Sequence, residues 1–426
     1  MATNIWQGGA AAIAQVDTIT PGGTIEATDL FIITINGKSL SVVSGGTSVA
    51  DVTAAVTTAF NASTEPEFAE ITAGDATTHV TLTADTPGVP FTVTVSTTET
   101  GDGAADEQTW TLLSDGTGAS VLNSGPNDAN VVTNWSDDSL PAADDDVVFE
   151  NSSVSCLYNL DVTAALTFTV KASFTGQIGL PRNNAHGYVE YRTTGFTLGT
   201  AVTDIDIGQG EGLGSSRINL IVGDLTAALD ITVDKTGSRE VTGIPPLLIT
   251  TGSQSSDTTL TVNRGDIGVA FYAGETAVID TIKMGYITQQ ATDAKVTCSD
   301  GVTLTTVTKS GGILYCDSLV TLTQSVGTTT ISEDATLTTA IINGGTLHYN
   351  STGTLGAVHV TGGGVLDLRQ DGRARTISAA VIYKGGTIHD PCKTVTWTAG
   401  IDLYYCSLDD VTLDIGEHVT IGLTSV

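Results

Sequence analysis

The chain has 426 residues, 47 of them acidic against 16 basic, for a formal charge of −31. A surface of that sign repels phosphate backbones and anionic headgroups, which argues against nucleic acid and membranes as partners. Only 15% of residues are charged and 40% are apolar, so the acidity does not mark a disordered chain.

Threonine supplies roughly one residue in six, beside 48 Gly, 10 Pro, 2 Met and 5% aromatics. β-Branched side chains suit a pleated, half-buried surface, and scarce Met, Lys and Glu leave little material for long helices, so the expected class is mainly β. The opening Met1-Ala2-Thr3-Asn4-Ile5-Trp6-Gln7-Gly8-Gly9 has no basic segment ahead of an apolar core, so no secretory leader is expected. No run approaches the roughly 20 apolar residues of a membrane helix.

Residues 12–120 read as a compact α+β unit. Within 28–43, two apolar runs meet at Asn36-Gly37, a pair that accepts the positive φ of a type I′ turn, which predicts a hairpin. Ser48, with Asp51 three residues on, predicts a capped helix whose apolar face is Val49, Val52, Val56 and Phe60. Strands are expected at 70–73, 79–84 and 90–96, with exit loops at 101–103 and 114–118. Residues 121–150 read as a linker and cap.

From about residue 147 repetition takes over. A Thr followed by an aliphatic residue recurs at Leu304, Leu322, Leu337, Leu355, Ile377, Val395 and Leu413, and a Gly pair keeps step at 311–312, 344–345, 363–364 and 385–386. Repeats this short, without helices, predict a right-handed parallel β-solenoid over 151–426. Gly turns the corners, aliphatics point inward and Thr ladders climb the outer faces. Roughly 15 coils stacked about 4.8 Å apart make a rod on the order of 70 Å long.

Trp6-Gln7-Gly8-Gly9, Asn134-Trp135, Pro141 and Asp145-Asp146-Val147-Val148-Phe149 together resemble the opening module of β-solenoid surface and virion proteins. In that family the pieces lie close in sequence, whereas here about 120 residues part them. The separation implies that residues 12–120 are inserted into the solenoid's N-terminal cap, with residues 1–11 as the cap's first strand. The segments ITINGKSLSV, SVADVTAAV, FNASTEPEFAEITA and TADTPGVPFTVTV are similar to a small module of tailed-bacteriophage and prophage structural proteins. The two resemblances imply a virion structural protein, and leave open capsid decoration, tail spike or tail fibre.

Chemistry-bearing residues are sparse. Asp137, Asp138, Asp144, Asp145, Asp146 and Glu150 offer oxygens for Ca²⁺ but lack the D-x-D-x-D-G loop, so a solvated cap loop is the expected reading. Gly208-Gln209-Gly210-Glu211-Gly212 has GxG spacing with an acid inside it and no helix after it; a solenoid corner is expected, and no cofactor. Spikes that degrade polysaccharide use carboxylate pairs about 5 to 9.5 Å apart. Asp367 with Arg369 and Asp371, His389 with Asp390, and Asp414 with Glu417 and His418 are the candidates, none in a recognisable motif, so no catalytic residue is assigned and the chain is expected not to be an enzyme. His348 and His389 each fall three residues after a repeat's second Gly, which predicts one shared position.

Cys156, Cys298, Cys316, Cys392 and Cys406 form an odd set without CxxC, as buried reduced thiols do. The Cys298/Cys316 and Cys392/Cys406 spacings each approximate one coil, where vertical register suits a disulfide in an oxidising compartment. The final coil, 411–426, carries nothing to cover its edge, so self-association is expected, as a homotrimer by likeness to phage spikes. The functional expectation is a virion protein serving assembly, stabilisation or host-surface attachment, with other virion proteins and a host-surface glycan as partners. A polysaccharide-degrading spike and a bacterial surface adhesin are the alternatives.

Overall fold

The computed structural model describes residues 2–424 apart from 101–106, 162–164, 226, 254–256, 286–293, 333, 371 and 416–418. The protein is mainly β, 45% in strands and 6% helical. Two parallel sheets dominate, of fifteen and eleven strands, and from Thr167–Lys171 to Thr387–His389 consecutive strands alternate between them. Parallel neighbours cannot be joined by a hairpin. Each coil therefore lays one strand in each sheet before it returns, which is a solenoid-like β fold.

Register fixes the core. In the larger sheet Ile205, Ile231, Leu260, Ile282, Val307, Leu322, Ala340, Val358, Ala380 and Ile401 lie over one another in successive strands, all buried. Their outward neighbours Thr259, Thr281, Thr306, Thr321 and Thr339 form the expected ladder. The Gly-pair marker is also in register: Leu347, Leu366 and Ile388 stack in the smaller sheet. At the corner before Leu347, Gly345 has φ +71°, and a Cβ there would meet the Gly327 carbonyl oxygen at 2.2 Å. The 208–214 run is a corner of the same kind, with Gly208 at φ +84° against the Lys235 backbone.

The Thr-aliphatic alignment holds only in part. Leu337, Leu355 and Ile377 do stack. Leu322 instead lies over Val307, Val395 over Arg375, and Leu413 belongs to the other sheet. The cause is the eight-residue strand Val302–Lys309, whose inward positions change phase in the middle, so that Leu304 and Val307 both face the core. Each half reads as Thr-aliphatic-Thr, and the sequence does not say which half the next coil matches.

Lys309, Gln324 and Thr329 sit together inside the rod. Lys309 Nζ donates to the Gly312 carbonyl (3.0 Å) and the Thr329 hydroxyl (3.3 Å), and the Thr329 hydroxyl donates to Gln324 Oε1 (2.7 Å). Gln324 Nε2 donates to the carbonyls of Gly327 (3.2 Å) and Gly344 (3.1 Å). Glycine corners turn these carbonyls inward; those of Gly312 and Gly327 also accept from the Thr328 (3.0 Å) and Thr346 (2.9 Å) amides of the next coil, and the trio finds its own partners there, where water is excluded.

Between the first strand, Thr3–Ile5, and its parallel partner Asp146–Phe149 the chain builds two antiparallel sheets and one helix around a separate core. Leu30–Ile35 and Lys38–Val43 pair across Asn36 (φ 46°) and Gly37 (φ 85°), the expected turn. Ser48 and Asp51 form a reciprocal capping box on helix Val49–Asn61, which buries Val52, Val56 and Phe60. Strands Val16–Gly23 and Gln108–Leu113 complete the four-stranded sheet and had no clear sequence signature.

The residues behind the first resemblance meet in space. Trp6 and Trp135 pack edge to face with centroids 5.1 Å apart, and Phe149 lies within 6.0 Å of both as well as of Phe168, Phe174 and Phe196. Asn134 Oδ1 accepts from the Ala10 amide (2.8 Å) while its Nδ2 donates to the carbonyls of Gly125 and Asp128 (both 2.8 Å). Among the cysteines, Thr297 pairs with Tyr315, which sets Cys298 and Cys316 one above the other in the core. Burial pushes the Cys298 thiol up to about 12. Cys392 is exposed and Cys406 half-buried, with its thiol directed at the Ile382 carbonyl, and all five thiols are free.

Two outcomes follow. Phe149→Ala should lower the unfolding free energy by about 3–5 kcal/mol, read from denaturant melts, because one ring contacts five others in a closed core. Burial pushes the Lys309 ammonium down to about 7. Between that value and about pH 10 the unfolded chain binds a proton that the folded one does not, so this residue makes stability rise with pH across the window and level off below it. Lys309→Met removes the dependence, so the wild type should gain in urea midpoint relative to the variant on going from about pH 7 to about pH 9.5. An unchanged gap refutes the assignment.

Candidate functional site

Segment 181–195, which leads into strand Phe196–Leu198, joins the rod to the small unit through a buried charge network. Arg192 and Glu190, with side chains only 7% and 1% exposed, form a two-point pair with both contacts at 2.7 Å. Arg192 also lies 3.6 Å from Glu70 and donates to the Pro90 carbonyl. The Tyr188 hydroxyl donates to Glu70 (3.0 Å) and accepts from Asn36 (3.0 Å), and Asn184 donates to Glu70 (2.9 Å). Burial alone would raise the Glu190 carboxyl, but the hydrogen bonds and charge of Arg192 outweigh it and hold the group below the usual range. Burial pushes the Tyr188 hydroxyl well up.

Glu190 also borders a groove of about 640 Å³ over the outward face of the eleven-stranded sheet. Its walls include Arg182, whose guanidinium stacks 4.4 Å from the centre of the Tyr272 ring. No hydrogen bond or ion pair engages that guanidinium among the described residues. Asn219 Nδ2 is fixed by the carbonyls of Leu180 (2.9 Å) and Thr194 (3.1 Å), which leaves Oδ1 buried and without a partner. Thr194, Thr250 and Thr276 add hydroxyls to the lining. Glu275 accepts from the Tyr272 amide (3.0 Å) and so shapes its own loop. The unengaged Arg182 guanidinium, the threonine hydroxyls and apolar Leu248 in a concave space suit a ligand that carries both hydroxyls and C–H faces.

From Asn219 a single outward column runs down the sheet: Leu248, Gly268, Thr297, Tyr315, Thr330, His348, Asp367, His389, Asp414. The last four alternate base and acid in consecutive strands. His348 Nδ1 approaches Asp367 at 3.4 Å and His389 Nδ1 approaches Asp414 at 4.0 Å. Arg369 grips Asp367 at both oxygens (2.9 and 2.8 Å), and these hydrogen bonds hold the carboxyl below the usual range. The two histidines do share a position, two coils apart with Asp367 between them. Asp390 is buried, and burial raises its carboxyl, while Asp371, Glu417 and His418 lie outside the described residues.

The acidic run of the cap is not gathered to a point. Asp137 caps Ser139, Asp145 accepts from the amides of Ala2 (3.2 Å) and Ala142 (2.8 Å), and Asp146 accepts from the Thr167 hydroxyl (2.8 Å). Asp138 takes φ 53° and Asp144 is exposed. Glu150 pairs with Lys171. Sequence reasoning missed Arg182, Asn219, Tyr272 and the Glu190–Arg192 pair. The signal available was the rarity of arginine in an acidic chain.

No family model matches the chain, and no curated protein or solved structure does.

Arg192→Ala should lower stability by about 3–5 kcal/mol because it strands Glu190 and Glu70 in a buried site. Urea titration of the full chain checks it, and a loss below about 1 kcal/mol would place the network in solvent-screened surface electrostatics.

Proposed function

We propose that the chain is a structural and attachment protein of a tailed-phage or prophage virion, a right-handed solenoid with residues 12–120 inserted in its cap, displaying a groove for an extended host-surface glycan. The groove at Arg182, Tyr272 and Asn219 carries the reading. Its lining runs across successive coils of the rod, so that successive sugar units meet successive strands, and it presents donors for sugar hydroxyls. The virion assignment is supported by the two sequence resemblances and by the meeting of the first one's residues around Trp6, Asn134 and Phe149. The reading is non-catalytic: a general acid in the groove needs a raised carboxyl, and Glu190 is held low by Arg192.

A second reading, polysaccharide degradation, draws on the Asp367–His389–Asp414 column, which sets acids two strands apart. Release of reducing ends or unsaturated products from host capsule would favour it.

Arg182→Ala should weaken binding of purified host polysaccharide at least about tenfold in saturation-transfer NMR or biolayer interferometry, with the melting temperature unchanged. Equal binding by wild type and variant removes the groove from the function. Negative-stain images of particles labelled against this chain test the virion assignment, and label confined to cell surfaces would favour the adhesin.

A further inference from the structure

Independently of what the groove holds, one end of the small unit carries a carboxylate group that the function above does not use. Strand Leu30–Ile35 pairs antiparallel with Val93–Thr98, and Leu30 faces Thr98. The next residues outward, Asp29 and Glu99, are therefore set side by side just beyond the strand ends, and Glu26 returns to them through a turn in which the Asp29 amide donates to the Glu26 carbonyl (3.2 Å). One carboxylate oxygen from each of Glu26, Asp29 and Glu99 lies within 4.8 Å of the other two.

Asp29 makes this more than an acidic patch. It is fully buried, and only one of its oxygens is used: Oδ2 accepts from the Glu26 amide (2.7 Å), while Oδ1 is buried and has no hydrogen-bond partner. An ionised carboxylate oxygen shut away from water with nothing to accept costs several kcal/mol, a penalty that natural structures meet with a donor, a proton or a metal. The backbone around it is already fixed by strand pairing and by the Ser44 amide, which donates to the Asp29 carbonyl (2.9 Å). The side chain is held as well, by the Glu26 amide on Oδ2.

We propose that Glu26, Asp29 and Glu99 bind a calcium ion. The group is made of carboxylates alone, with no histidine or thiol, which favours a hard cation over zinc or copper. Separations within 4.8 Å fit oxygens each about 2.4 Å from a common Ca²⁺, whose flexible shell of six to eight ligands takes an irregular carboxylate set more readily than the near-ideal octahedron of Mg²⁺. Bound there, the ion gives Asp29 Oδ1 its missing partner and ties the 24–29 turn to the end of strand Val93–Thr98. That locks two sequence-distant ends of the three-stranded sheet.

The test uses the full chain, stripped with EGTA and titrated with CaCl₂ by calorimetry, with thermal melts in parallel. Wild type should bind and melt higher in millimolar Ca²⁺ than in the same Mg²⁺, and Asp29→Asn should lose one equivalent of binding and the Ca²⁺-dependent part of the shift. Glu99→Gln, at a half-buried position, is the second variant: it should weaken the site at least about tenfold even where Asp29→Asn folds poorly. Asp145→Asn, in the cap, should leave binding unchanged. No Ca²⁺-dependent heat or shift in wild type overturns the proposal, as does binding that survives Glu99→Gln or is lost instead with Asp145→Asn.

Discussion

A parallel ladder satisfies a strand's backbone only through the strands above and below it, so every coil of this rod depends on its neighbours' register. Slipping one strand by one residue turns its whole inward column to solvent. The uninterrupted column from Ile205 to Ile401 is that constraint made visible. Lys309, Gln324 and Thr329, polar side chains inside the rod, gather at the glycine corners, where inward-turned carbonyls give Lys309 Nζ and the Gln324 amide their acceptors.

The rod's first coil is closed by chain from both sides of the small unit. Asn134 holds residue 10 to residues 125 and 128, and Trp6, Trp135 and Phe149 build one aromatic cluster, so the cap forms only when the ends of the intervening unit return together. The charge network of segment 181–195 then fixes that unit against the rod. Glu190 belongs both to the network and to the lining of the groove. The same buried pair that docks the unit thus sets one edge of the binding space, and the groove's shape is tied to the docking contact.

Local elements were legible because their signals are local. The Asn36-Gly37 turn needs positive φ at two adjacent residues, and the Ser48–Asp51 box needs a three-residue spacing; both are visible in four letters of sequence. The solenoid-like architecture was legible through glycine pairs that recur with the coil. Absolute register was not, since the phase change inside Val302–Lys309 gives one strand two equivalent Thr-aliphatic motifs. In the smaller sheet the Gly-pair spacing linked His348 with His389, while Asp367 and Asp414, which the register sets in the same column, read as separate candidates. Arg182, Asn219 and Glu190 were hidden for a different reason: they converge from the irregular segment 181–195 and a strand some 25 residues later, and no period links them.

The charge of −31 takes on structure in this setting. The broad faces carry threonine beside strand acids such as Asp206, Asp230, Asp280 and Asp402, while other acids sit at turns and accept backbone or hydroxyl protons: Asp51 from Ser48, Asp115 from Thr117, Asp145 from Ala2 and Ala142. The hydrogen bonds from Ser48 and Thr117 hold the Asp51 and Asp115 carboxyls below their ordinary value. Groups so depressed contribute stability above the unfolded carboxylate range and lose it as pH falls through their folded values. Self-repulsion runs the other way, since protonation relieves it. The acids are thus stabilising one at a time, through the turns they close, and destabilising as a set. A multivalent cation is the agent that removes the second effect without undoing the first.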